Sequence, residues 1–288
     1  MSDDLQLEAV IAQTIAGAKY RAICPDLVRS VARRELHAHR TVKAAVKETR
    51  AKLHQITGAF FAQRPAYAAW LHELAAAPRD QQVLARLLGQ HASTHERLPG
   101  LARWSALFAT LPTPATVLDL GCGLNPLTLA WHPSLAAAQY QAHDIDAEMI
   151  GFLHAWFALA GVNGAAHVTD LSSSVPAAEP TKVALIPPSP PAPLPPAGEG
   201  SARADLVLAF KLLPTLDQVR KGAARDLLRS LDFGTLIISY PAQTLGGRSK
   251  GMVASYERDF AAHAADLGWT YTRHDMPGEV VFVVHTIS

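Results

Sequence analysis

The sequence predicts an α/β fold, a mostly parallel, doubly wound sheet of seven strands preceded by an all-helical N-terminal region. Three observations carry this. From residue 116 onward, short apolar runs rich in strand formers alternate with helix-length stretches. The first of these runs goes straight into a glycine turn, Thr116-Val-Leu-Asp119-Leu-Gly121-Cys122-Gly123-Leu124-Asn125-Pro126. Residues 5–54, by contrast, carry apolar side chains at helix spacing and no alternating pattern.

In the glycine turn, Gly121 and Gly123 allow a tight turn and close approach of backbone to a ligand. Asn125 is expected to cap the following helix and Pro126 to occupy its first turn. Strand, glycine loop and helix N-terminus make a nucleotide-sized edge of an open sheet. Alone, the Asp-x-Gly-x-Gly loop is compatible with NAD, a flavin, S-adenosylmethionine or no ligand. The second strand, Gln139 to His143, narrows the choice because it ends at Asp144, whose carboxylate can accept from ribose hydroxyls. The third glycine of a dinucleotide fingerprint is missing; Pro126 stands there. A ligand with ribose and adenine but no diphosphate fits best, namely S-adenosylmethionine.

Whole-chain properties bound the answer. The chain has 288 residues, 49% of them apolar and 18% charged, enough for a sizeable core and against global disorder. The net charge of +1 hides an asymmetry: residues 1–100 contain 14 Lys/Arg against 9 Asp/Glu. A basic helical half joined to an acidic nucleotide-binding half suggests a polyanion-binding module beside a catalytic one. A solvated helical surface would give the same count. Cys24 and Cys122 fit no metal spacing and imply a reducing compartment. The chain begins Met-Ser-Asp-Asp without a signal-peptide pattern and has no long uncharged apolar run. A cytoplasmic protein, not bound to membrane and acting as a monomer, is expected.

Residues 1–111 are expected to form the helical domain and residues 112–288 the sheet domain. The first helix breaks at Tyr20–Asp26, and Pro25 heads the next. Arg29, Arg33 and Arg34 line about one face of the second helix; Lys43, Lys47 and Arg50 share a face of the third. Two basic faces in one bundle can follow a phosphate backbone. Residues 66–89 read as helices broken near Pro78. Ser93-x-x-Glu96 reads as a capping box for a helix over Thr94–Thr110. Free amides at such a start favour an anion, here the methionine carboxylate of the cofactor, with Arg97 beside it. His91 and His95 lack a third ligand, so no metal is expected. Pro112 and Pro114 mark the domain boundary.

In the second domain, Asp146 caps a helix running to about Ala160. Ala166–Asp170 is the third strand, and Asp170 and the Leu171 amide are placed to meet the adenine. Residues 172–204, with nine prolines between Pro176 and Pro196, read as an inserted loop. Asp205–Phe210 is the fourth strand, 215–230 a helix, and Phe233–Tyr240 the fifth strand. The glycine- and base-rich loop around Arg248 and Lys250 suits a phosphate backbone. A helix over 253–267 and a hairpin of 269–274 with 279–287, turning at Gly278, close the sheet. The fourth strand ends in Lys211-Leu-Leu-Pro214 and not in the Asn/Asp-Pro-Pro-aromatic run of amino-directed DNA methyltransferases.

Six segments together resemble a known family: Lys19–Asp26, Leu53–Phe60, His91–Leu98, Val117–Pro126, Phe210–Pro214 and Ser239–Met252. In these the chain is similar to the aminoglycoside-resistance 16S rRNA methyltransferases of the FmrO type. The resemblance implies a class I Rossmann-like methyltransferase domain behind a helical domain that docks on the assembled 30S subunit. It also implies methylation of guanine 1405 of 16S rRNA at N7, with S-adenosylmethionine as donor. Carried over by position, the cofactor contacts are Phe60, His91, Ala92, Ser93, Arg97, Gly121, Asp144, Asp170, Leu171 and Phe210. The family's polar contact after the fourth strand falls on Val219, so its neighbour Gln218 is assigned that role. Lys211, Arg248 and Lys250 would face the target nucleotide, and Arg29, Arg33, Lys43, Lys47 and Arg50 the RNA backbone. The insert departs from the family pattern.

Guanine N7 has a free lone pair and no proton, so its methylation needs neither a general base nor a cysteine nucleophile. Cys24-Pro25 accordingly reads as a helix start. The task is to align N7, methyl carbon and sulfur on a guanine flipped from its helix. Trp104, Trp131 and Tyr240 are candidates to stack on it. A methyltransferase of small metabolites is the alternative, and the basic bundle and the Gly246–Gly251 loop weigh against it.

Overall fold

The computed structural model describes residues 3–57, 60, 61, 63–173, 203–242 and 252–285. Most of the insert and the loop carrying Arg248 and Lys250 therefore lie outside the described residues. Among the described residues seven α-helices come first: α1 (Asp3–Ile15), α2 (Pro25–His39), α3 (Val42–Thr57), α4 (Tyr67–Leu74), α5 (Gln81–Leu88), α6 (Ala92–Arg97) and α7 (Leu101–Ala109). Strands and helices then alternate: β1 (Thr116–Leu120), α8 (Pro133–Ala136), β2 (Gln139–Asp144), α9 (Ala147–Ala160), β3 (Gly164–Val168), β4 (Ala204–Phe210), α10 (Leu212–Val219), α11 (Ala223–Ser230), β5 (Phe233–Pro241), α12 (Met252–Leu267), β6 (Thr270–Met276) and β7 (Glu279–His285).

The strand order is β3-β2-β1-β4-β5-β7-β6. The first five strands are parallel, and β7 inserts antiparallel between β5 and β6. The order reverses between β1 and β4, which opens a crevice at their carboxyl ends. Both faces of the sheet are covered, so its central strands are largely apolar on both sides, with Asp119, Gln141 and Ser239 buried among them. Val117, Leu206, Leu208 and Ile237 pack with Leu84, Leu88, Trp104, Phe152 and Trp156 of α5, α7 and α9. Leu118, Leu120, Val207, Ile238 and Phe282 face Leu216, Leu227 and Phe260 of α10, α11 and α12. Helices α1 to α3 form smaller clusters of their own, one of which also takes in Val219 of α10 and Ile145 after β2.

The structure corrects several sequence expectations. The helix expected over Thr94–Thr110 is broken: a 3-10 turn at Leu98–Gly100 separates α6 from α7, because Pro99 has no N–H for the ladder and its ring crowds the preceding turn. Ser93 does not cap it. His91 holds the N-cap position without a side-chain bond, and Glu96 accepts from Lys211 instead. The helix expected over 215–230 divides at Gly222, whose φ is +87°. The third strand starts and ends two residues early, so Asp170 lies beyond it. After the glycine loop comes a 3-10 helix, Asn125–Trp131, with Leu124 at its cap position. Other local readings match: Pro25 heads α2, Asp146 caps α9 through Glu148 and Met149, and Gly278 turns the final hairpin at φ +76°.

Candidate functional site

A cavity of about 490 Å³ opens over the carboxyl ends of β1, β2 and β4. Its floor is the glycine loop. Gly121 and Gly123 have φ of +63° and +52°, the left-handed region that costs an L side chain about 1–2 kcal/mol. Space forbids one as well: a Cβ at Gly121 would lie 2.8 Å from Leu212 Cδ1, and one at Gly123 2.9 Å from His91 Cε1. The bare loop thus leaves a cradle for a ligand.

Asp144 ends β2 at the cavity wall. Its Oδ2 accepts from the Gly123 amide at 2.9 Å, and its Oδ1 from Ile145 and Asp146 at 2.7 and 3.2 Å. These bonds fix the carboxylate against the glycine loop. Burial pushes its pKa up to about 6 despite the three amide donors. Asp170 and Leu171 also line the cavity. Asp170 is held by the Ser172 amide and hydroxyl at 2.9 and 2.6 Å and by the Ser173 hydroxyl at 3.0 Å.

Opposite the glycine loop, Phe60 stacks on His91 with centroids 5.2 Å apart, and Phe61 meets the same ring edge-on at 4.8 Å. Burial, with Arg97 and Lys211 nearby, pushes the His91 pKa down to about 3, so the ring is neutral. Its Nδ1 is buried and has no hydrogen-bond partner among the described residues. Ser93 lines the cavity. Ala92 does not, and its amide donates to the Phe60 carbonyl at 2.8 Å.

Arg97 lines the cavity and is only 2% exposed. It donates to both carboxylate oxygens of Glu279, at 3.1 and 3.2 Å, and to Asn125 Oδ1 at 2.9 Å, with its guanidinium 4.3 Å from the Phe210 ring centre. Asn125 in turn donates to Asp119 Oδ2 at 2.9 Å, and Tyr140 donates to the same oxygen at 2.6 Å. Asn125 is therefore a buried bridge and not a cap. Lys211 adds a second cation, 2.5 Å from Glu96 and 3.6 Å from Glu279. It holds φ +55° although it is not glycine, a strained conformation of the kind that collects at functional sites. Glu279 is buried, which disfavours its charge, but Arg97, Lys211 and the Ser239 hydroxyl outweigh that and hold its pKa low. Two cations and two carboxylates thus balance beside the cleft.

Several sequence-assigned residues fall elsewhere. Gln218 is exposed and off the cavity; Thr215, Leu216 and Val219 line it from α10. Trp104 and Tyr240 are buried in the core, at 0% and 3% exposure, and neither can stack on an incoming base. Trp131 is half-buried against the core. Of the basic residues, Arg33, Lys43 and Lys47 are exposed. Arg29 pairs with Glu8, while Arg50 turns inward to the Gln13 carbonyl and the Tyr20 ring. Sequence reasoning missed Glu279, Asn125, Thr215 and the lining residues from α2 and α3. The only signal for Glu279 was a lone charge at the head of an apolar strand. Among the described residues, no cluster of three metal-ligating side chains occurs and no helix is long and apolar enough to cross a membrane.

The 3-2-1-4-5-7-6 strand order, the bare glycine cradle and the acid ending β2 define a class I S-adenosylmethionine-dependent methyltransferase. Within that class, the chain belongs to the ribosomal RNA methyltransferase (FmrO) family, whose model matches residues 16–188 and 196–283. The 16S rRNA (guanine(1405)-N(7))-methyltransferase of Frankia casuarinae is 36% identical over 285 residues, covering 95% of this chain and 92% of that one. The enzyme of the same name from Micromonospora echinospora is 34% identical, with 92% of each chain covered. Among solved structures, 16S rRNA methyltransferase RmtF in complex with S-adenosyl-L-homocysteine superposes with a TM-score of 0.79 at 30% identity over the whole of both chains.

Proposed function

We propose that the protein transfers the methyl group of S-adenosylmethionine to N7 of guanine 1405 of 16S rRNA, within the assembled 30S subunit, and so confers aminoglycoside resistance. The observation that carries this reading is the cleft itself: a glycine cradle, a fixed carboxylate at the end of β2 and a second, Asp170, just beyond β3 converge on one cavity. In it, Asp144 accepts from the ribose hydroxyls. Asp170 and the Leu171 amide meet the adenine edge, between apolar side chains of Ile145 and Val219. Arg97 keeps guanidinium N–H groups beyond those given to Glu279 and Asn125, and these, with Ser93, serve the methionine carboxylate.

The donor supplies an electrophilic methyl on a sulfonium. The protein's own residues need only hold it, hold the base and keep water out. No residue has to take a proton, because N7 carries none. The neutral ring of His91, wedged between Phe60, Phe61 and Gly123, shapes the wall and adds no charge beside the sulfonium. Lys211, strained and at the mouth of the charge cluster, faces the target nucleotide together with the Arg248 and Lys250 loop. The exposed Arg33, Lys43 and Lys47 supply phosphate contacts. Residues 1–111 are the docking unit for the small subunit and lend Phe60, His91, Ser93 and Arg97 to the cofactor cavity; residues 112–288 supply the rest of the methyl-transfer site.

Expression in an aminoglycoside-sensitive bacterial host tests the reading. Resistance that disappears with Asp144→Ala is expected; unchanged susceptibility with soluble protein present would contradict it.

A further inference from the structure

The cavity is not built by the sheet alone. Ile23, just before α2, Leu27 in its first turn, and Ile56, near the end of α3, line it. They are buried, at 6%, 1% and 2% exposure, in one cluster with Val219 of α10 and Ile145. Ile145 and Val219 are the two side chains assigned to the faces of the adenine. The three helical-region residues therefore adjoin the adenine end of the cavity.

The backbone makes the same connection. The Cys24 amide donates to the Ile145 carbonyl at 2.7 Å, and the Ala147 amide to the Ala22 carbonyl at 2.7 Å, forming an antiparallel bridge between Ile23 and Asp146. The bridged segment directly follows Asp144, the proposed ribose anchor. Arg34 of α2 donates to the Val219 carbonyl at 2.5 Å, tying the helical region to the other adenine wall.

We infer that the first helices also belong to the cofactor site, apart from the Phe60–Arg97 wall: Ile23, Leu27 and Ile56 close the adenine end, and the Ile23–Asp146 bridge sets the ribose-binding loop. This rests on the proposed reading of the cavity as an S-adenosylmethionine site. It gives α2 and α3 two tasks, since their outer faces carry Arg33, Lys43 and Lys47. Occupancy of the cofactor site is then felt by the same helices that present these cations, and by linkage rRNA docking is felt by the cofactor.

The test uses the full chain and S-adenosylhomocysteine. Hydrogen exchange is followed at the Cys24 and Ala147 amides, which report the bridge directly, with α12 amides as the comparison. Saturating ligand should slow exchange at both bridge amides by about tenfold or more, and more than in α12. Calorimetry on Ile23→Ala and Ile56→Ala should show affinity lower by roughly three- to thirtyfold, from the apolar contact removed. If either variant fails to fold, the exchange result on the unmodified protein decides. Ligand binding that protects the Asp144–Asp146 amides but not Cys24 would overturn the inference and leave the cofactor reading standing. Absence of binding by calorimetry would overturn both.

Discussion

Replacing Asp144 by Asn changes few atoms and should remove most cofactor affinity. The carboxylate makes three backbone bonds, one through Oδ2 to Gly123 and two through Oδ1 to Ile145 and Asp146. An amide side chain has one acceptor atom. Either the Gly123 amide or the Ile145 and Asp146 pair must then face an NH2 group, which displaces the glycine loop or the ribose loop. The two ribose hydroxyls also lose a charged acceptor. Hydrogen bonds to charged groups contribute about 1.5–3 kcal/mol each. Losing even two amounts to about 3 kcal/mol or more, roughly a hundredfold or greater in Kd. Calorimetric titration with S-adenosylhomocysteine measures this, with thermal melting as a check on folding. An affinity within threefold of the unmodified protein would refute the assignment of Asp144 as the ribose anchor.

The remaining predictions test other parts of the site. Because the Asp144 pKa lies at about 6 and the ligand needs the ionised form, affinity should fall by about tenfold between pH 7 and pH 5. Stability runs the other way for this group: its native pKa is raised from 3.8, so its contribution is full below about 4 and is lost as pH rises through about 6; a flat affinity profile would contradict the role. Gly123→Ala combines a left-handed φ with a Cβ 2.9 Å from His91, and should lower both ligand affinity and melting temperature. Arg97→Ala leaves buried Glu279 without its main partner and should cost about 3–5 kcal/mol in denaturant unfolding. Lys211→Ala should lower methylation of small subunits by at least about tenfold while changing ligand Kd less than threefold, whereas Gln218→Ala should alter neither.

The sheet is legible because β1, β4 and β5 are buried on both faces and read as largely apolar runs, with Gly121 closing the first and Pro241 the last. Asp144 is found for another reason: it is the acid that ends the strand following the glycine loop. The third strand was misplaced because Gly164-Ala-Ala-His-Val has little strand character, and its pairing with β2 fixes its register. The break at Pro99 was hidden because amphipathic spacing continues across it. Asn125 looked like a cap, since Asn before Pro commonly is one. Only the third dimension shows that Arg97 and Asp119 approach it from both sides. Glu279 and the Ile23, Leu27 and Ile56 wall lie far in sequence from the glycine loop, and no local pattern marks a side chain whose partners arrive from another element.

Mapping the methyl group on the substrate is the most direct test of the central claim. Assembled 30S subunits, incubated with the purified protein and isotopically labelled S-adenosylmethionine, should gain one methyl, at N7 of guanine 1405, and none when Asp144→Ala replaces the active chain. Label at a different atom or nucleotide, or none on the particles at all, would contradict it.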